Sequence, residues 1–76
     1  MEFYFYEDCE YSQIVLNTIS VLKIKGKIKF KDIRLNPDYR KELLELTGDA
    51  MVPCLATEDG SIKEAKNIRK YLISRF

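Results

Sequence analysis

Four consecutive aromatic residues, Phe3-Tyr4-Phe5-Tyr6, stand between Glu2 and Glu7-Asp8, and no other stretch constrains the fold as strongly. The run is too short for a buried helix, and a strand that carries large apolar groups on both alternating faces must be covered on both. In a chain of 76 residues this means a central strand with helices packed on either side of it. A domain of this size buries only about 60% of its unfolded surface, so its core must be compact and rich in apolar groups. Five tyrosines and four phenylalanines help to fill it.

The remaining elements follow from start and stop signals. After Cys9, the residues Val15, Ile19 and Leu22 recur at helical spacing. Lys25-Gly26 predicts the end of that helix, because glycine accepts the left-handed cap conformation and lysine complements the negative helix end. Lys27-Ile28-Lys29-Phe30-Lys31 alternates with period two and predicts an edge strand whose three lysines form a solvated face. Asn36-Pro37-Asp38 starts a second helix, with Tyr39, Leu43 and Leu46 on its inner face and Gly48 at its end. Val52 to Ala56 predicts a strand, Glu58-Asp59-Gly60 a turn and Ser61-Ile62-Lys63 the returning strand. Ala65, Ile68 and Leu72 mark a terminal helix. The order is β-α-β-α-β-β-α in one domain, residues 1–76: a four-stranded mixed sheet, parallel at the first crossover and antiparallel at the hairpin, with helices on both faces.

Composition excludes several functions. The chain has no histidine, which removes imidazole bases, Ser-His-Asp and Cys-His hydrolytic sites and most zinc arrangements, and no metal site is expected from two cysteines alone. Thirteen Lys and Arg balance twelve Asp and Glu, without the basic excess of a nucleic-acid binder. The N-terminal run is too short and too acidic for a signal peptide or membrane span. Cys9 and Cys54 do not form a close-spaced disulfide framework, so reduced thiols in the cytoplasm are expected.

Cys9 sits where a strand passes into a helix, the position at which unpaired amides and the helix dipole stabilise a thiolate. The amides of Tyr11 and Ser12 and the Ser12 hydroxyl are the expected donors, opposed by the carboxylates of Glu7, Asp8 and Glu10. Cys54, in an apolar strand and alternating away from Pro53, reads as a core residue. Tyr11 is equally suited to pack on a ligand or to be a partly exposed first-turn aromatic.

In this order, with Cys9-Glu10-Tyr11-Ser12 directly after the first strand and Met51-Val52-Pro53 before the third, the chain has a thioredoxin-like layout and resembles the glutaredoxins. Ile62-Lys63-Glu64-Ala65, followed by Ile68 and Tyr71-Leu72, is similar to the N-terminal domain of glutathione transferases. That family appends a large helical domain, so a small free-standing glutaredoxin is the closer resemblance. It implies a cis Pro53 facing Cys9, and Val52 offering its backbone to the cysteinyl part of glutathione. It further implies the α-helix start at Glu64 and Ala65 as the γ-glutamyl subsite, with Arg40 or Lys41 reaching the glycine carboxylate. The lysine many glutaredoxins carry before the cysteine is replaced here by Tyr6-Glu7-Asp8. Ser12 stands in place of a resolving cysteine, so the resemblance implies monothiol exchange at Cys9. Glutathione is then the co-substrate, disulfides or glutathionylated proteins the partners, and a monomer the expected state. Two other functions fit the same layout: a scaffold for a [2Fe-2S] cluster between two subunits, each giving one Cys9 with glutathione as the other ligand, or a non-catalytic module that binds an extended partner at Val52.

Overall fold

The computed structural model describes all residues, Met1–Phe76. Strand β1 (Glu2–Phe5) carries the aromatic run into the centre of a four-stranded sheet of order β2-β1-β3-β4. It pairs in parallel with β2 (Lys29–Asp32), Phe3 opposite Phe30, and antiparallel with β3 (Cys54–Thr57), Phe3 opposite Leu55. β3 in turn pairs antiparallel with β4 (Gly60–Lys63). Alternation divides the β1 side chains. Phe3 and Phe5 stack in parallel at 5.3 Å and face α1 (Glu10–Leu22) and α3 (Ala65–Arg75), whose Val15, Ile19, Ile68 and Leu72 complete the larger core. Tyr4 faces α2 (Pro37–Thr47) and packs in a smaller cluster with Ile33, Leu43 and Cys54. The helices therefore cover both faces, and the α/β thioredoxin-like layout read from the sequence is the fold observed. No helix is long and apolar enough to cross a membrane.

Three local expectations are corrected. Helix α1 ends at Leu22 and not at Gly26: Lys23 takes the left-handed conformation (φ 57°), and its N–H and that of Ile24 bond back to Ser20 and Ile19 in a Schellman motif. Ile24, buried beside Ile19, is the apolar anchor that fixes this earlier turn, and Gly26 falls in a short 3-10 turn. On α2 the inward stripe runs Tyr39, Leu43, Thr47, at spacing four, which leaves Leu46 about half exposed. The lysine face of β2 is not solvated throughout. Lys31 is buried, lies over the rings of Tyr4 and Tyr39 and pairs with Glu2 and Glu42, because this is the face that α2 covers; Lys29 alone of the strand's lysines is exposed.

Candidate active site

Cys9 is the N-cap residue of α1, in extended conformation (φ −83°, ψ 117°), and its sulfur accepts the Ser12 N–H at 3.4 Å. The loop that holds it is tied down by the Cys9 N–H donating to Tyr6 C=O at 3.2 Å and the Gln13 side-chain amide donating to Glu7 C=O at 2.7 Å. The sulfur-bearing residue is only 9% exposed. Burial is the largest influence on its acidity and pushes the thiol up. The Ser12 hydroxyl, the Ser12 and Tyr11 amides and the Tyr6 hydroxyl outweigh it together and leave Cys9 below the ordinary cysteine range. The Ser12 hydroxyl is itself buried and makes no hydrogen bond in the structure, so a Cys9 thiolate is an acceptor that would satisfy it.

The acidic flank does not keep the thiol up: Glu7, Asp8 and Glu10 are exposed, and the larger causes of the shift are burial and the hydrogen bonds to the sulfur. Asp8 has a cation of its own: the Arg34 guanidinium lies 3.5 Å from its carboxylate and 3.7 Å above the Tyr6 ring. Solvent screening and this pairing weaken the field of these carboxylates at the sulfur.

Beside the first turn of α1 lies a groove of about 680 Å³, within the range of small-molecule sites. Tyr11 and Ile14 of α1 form one wall, and the α2–β3 loop contributes Met51, Val52 and Pro53. The Val52–Pro53 bond is cis, and Val52 stands outside β3 with its N–H and C=O in no turn or side-chain hydrogen bond. The third wall is the β4–α3 turn, with Glu64, Ala65 and Lys66. Glu64 has positive φ (70°, with ψ 130°), a region that side-chain-bearing residues rarely occupy. Five sequence candidates, Tyr11, Val52, Pro53, Glu64 and Ala65, are thus brought together, and Cys9 and Ser12 lie in the helix turn that carries Tyr11. Arg40 is not brought to the groove. It is exposed on α2, which packs on the opposite face of the sheet from α1 and α3, and Lys41 is likewise exposed there.

The structure also adds residues that were not read from the sequence. Asp49 accepts the Lys63 ammonium at 2.7 Å and the Met51 N–H at 3.0 Å, which holds its carboxyl below the usual range and ties two walls of the groove together. Arg69, one turn beyond Lys66, completes the α3 wall. Lys66 and Arg69 carry a detectable signal, since their spacing places them on one helix face directly after Glu64. Asp49 and Lys63 carry none before the strand register is known.

Cys54 is completely buried on the α2 side, and burial pushes its thiol up, as a core residue requires. A [2Fe-2S] cluster takes four ligands; between two chains it would need two Cys9 thiols and two glutathione thiols, since Cys54 is buried on the α2 side and no group of three or more Cys, Asp or Glu side chains is gathered to hold a metal.

A cysteine capping a helix, beside a groove edged by a cis-proline loop on a β2-β1-β3-β4 sheet, defines a thioredoxin-like domain. Residues 3–76 match the family model for the glutathione S-transferase N-terminal domain, and the chain belongs to that family. Among solved structures it is similar to a glutathione S-transferase domain-containing protein from Marinobacter aquaeolei VT8, with a TM-score of 0.78 at 23% identity. That likeness is one of fold. It covers 100% of this chain but 38% of the other, so the chain spans well under half the length of that relative. No curated protein matches the sequence.

Proposed function

We propose that this domain binds glutathione in the groove and uses Cys9 for monothiol exchange with glutathione mixed disulfides, in a reducing compartment such as the cytoplasm. The observation that carries the reading is the Cys9 sulfur, capping α1 with its thiolate favoured and standing in the turn that lines the groove. Membership of the glutathione S-transferase N-terminal domain family supports glutathione as the ligand.

The exchange needs two thiol steps. The Cys9 thiolate attacks the glutathionyl sulfur of a protein–glutathione disulfide. A Cys9–glutathione disulfide forms, the original S–S bond breaks, and the protein thiolate leaves and takes up a proton. A second glutathione, as thiolate, then attacks the glutathionyl sulfur on Cys9; oxidised glutathione departs and the Cys9 thiolate is restored. The protein thiol is released, and the one glutathione thiol consumed is oxidised as it joins the transferred glutathionyl group in oxidised glutathione. Ser12 cannot resolve the intermediate as a second cysteine would, and its part is to stabilise the Cys9 thiolate as attacking and leaving group. Val52 is placed to pair with the extended cysteinyl backbone, and the start of α3 to receive a carboxylate.

The test is a glutathione-coupled assay on a glutathionylated peptide, with mass spectrometry for the Cys9 adduct. Cys9→Ser is expected to fall to background while Cys54→Ala keeps most of the turnover. Activity surviving in Cys9→Ser would remove the assignment.

A further inference from the structure

We propose that the outer part of the groove selects mixed disulfides whose non-glutathione half is a peptide both acidic and apolar around its cysteine. The inference rests on the groove being the site of exchange, and it names the substrate class of that site. The groove has two kinds of lining. On the α1 wall and the cis-proline loop, Tyr11, Ile14 and Met51 are 63%, 45% and 66% exposed, three large apolar side chains open to solvent within one concavity. On the α3 wall, Lys66 and Arg69 stand at i, i+3 and form no ion pair with any carboxylate. Lys63 is different, because Asp49 takes up its charge at 2.7 Å. The free groups are therefore two cations against one carboxylate, Glu64. Glutathione alone does not call for the exposed apolar wall, and a solvated helix face does not require its cations to border a groove. A peptide with carboxylates on one side of its cysteine and an aliphatic or aromatic side chain on the other complements both walls.

Binding and turnover separate this inference from the reading it rests on. Two S-glutathionylated peptides of equal length are compared, one with Glu and Leu flanking the cysteine and one with Lys and Ser. Calorimetry on Cys9→Ser, which cannot exchange, is expected to give the acidic peptide an advantage of roughly five- to tenfold at low salt, the scale of two exposed ion pairs. The advantage shrinks as ionic strength passes about 0.1 M, where the Debye length is about 10 Å. Adding Lys66→Glu and Arg69→Glu reverses the preference, Lys66→Gln reduces it, and Lys70→Glu, on the same helix but outside the groove, leaves it unchanged. Met51→Ser weakens the Leu-containing peptide more than the other. Equal binding of both peptides, no binding of either, or a preference that survives Lys66→Glu/Arg69→Glu overturns the proposal. If the preference is present and the wild-type protein turns over neither peptide, the exchange reading falls and the selectivity stands.

Discussion

Glu64 and Ser12 each hold an unfavourable state beside the site, and each makes a prediction at the scale of a single residue. The backbone of Glu64 lies in a region open mainly to glycine, at a cost of about 1–3 kcal/mol. Glu64→Gly is expected to relieve it, offset in part by the 0.5–1 kcal/mol that glycine loses in chain entropy. Urea unfolding should show a net gain of about 1 kcal/mol, with a higher KM for the glutathionylated peptide because the carboxylate is gone. Glu64→Ala keeps the strain and should show the second effect alone. Ser12 buries a hydroxyl that a Cys9 thiolate would satisfy. Ser12→Ala is expected to raise the Cys9 pKa in an ultraviolet thiolate titration and to slow alkylation at neutral pH, with little loss of stability because a buried unpaired group goes with it. The linkage has a definite sign. A thiol whose folded pKa is depressed adds stability above its unfolded pKa and loses it as pH falls through the folded value, so Ser12→Ala narrows that alkaline gain.

Among the elements, β2 is where the sequence pattern misled. Period two was right, and the edge position was right, but alternation cannot say which face a helix will cover; α2 covers the lysine side and draws Lys31 inward. Burial would lower the Lys31 pKa, and the Glu2 and Glu42 carboxylates outweigh that and raise it, so the ammonium stays charged. Lys31→Met keeps the stem between the Tyr4 and Tyr39 rings and leaves two half-exposed carboxylates that water can serve. Its melting temperature should lie within about 5 °C of wild type, whereas Glu2→Gln with Glu42→Gln strands a buried charge and should lower it further. Elsewhere local chemistry was enough. Phe3 to Phe5 announced the central strand, Asn36-Pro37-Asp38 the start of α2, where Asn36 caps the Asp38 N–H at 2.9 Å, and Ala65, Ile68 and Leu72 the buried stripe of α3. The end of α1 was not legible from Gly26, because a buried apolar anchor, Ile24, decided it over glycine's intrinsic preference. Tyr11, Val52 and Pro53 were legible as neighbours, with Cys9 in the adjoining turn, because motif and element order bring them together, while Arg40 lies away from them because its spacing says nothing of which sheet face α2 takes.

Across the whole molecule, the groove is assembled from segments far apart in sequence, and one polar link joins two of them. Asp49 belongs to the loop that leads to Met51 and Val52; Lys63 ends β4 and leads to Glu64 and Ala65. The Thr47 hydroxyl donates to the Asp49 backbone C=O at 2.9 Å and the Met51 N–H to the Asp49 carboxylate at 3.0 Å, so the residue is anchored on its own side and the ion pair fixes the cis-proline loop against the start of α3. Both partners are nearly half exposed, so the link contributes little to global stability, and its consequence is positional. Its carboxyl is held below the usual range by Lys63 first and by the Met51 N–H second. The interaction is therefore complete above the ordinary carboxylate pKa and is lost as pH falls through the depressed folded value, which leaves it intact at neutral pH. Asp49→Ala, which removes the acceptor, is expected to speed hydrogen exchange at the Met51 amide and to raise KM for the glutathionylated peptide by roughly two- to tenfold, the scale of one hydrogen bond, with kcat and the Cys9 titration close to wild type. Lys63→Met should raise KM similarly without speeding exchange at Met51, since Asp49 still accepts that amide. A fall in kcat at constant KM would place Asp49 in the chemistry and not in the shape of the groove. Unchanged exchange at Met51 in Asp49→Ala would show that the loop is held by its packing alone.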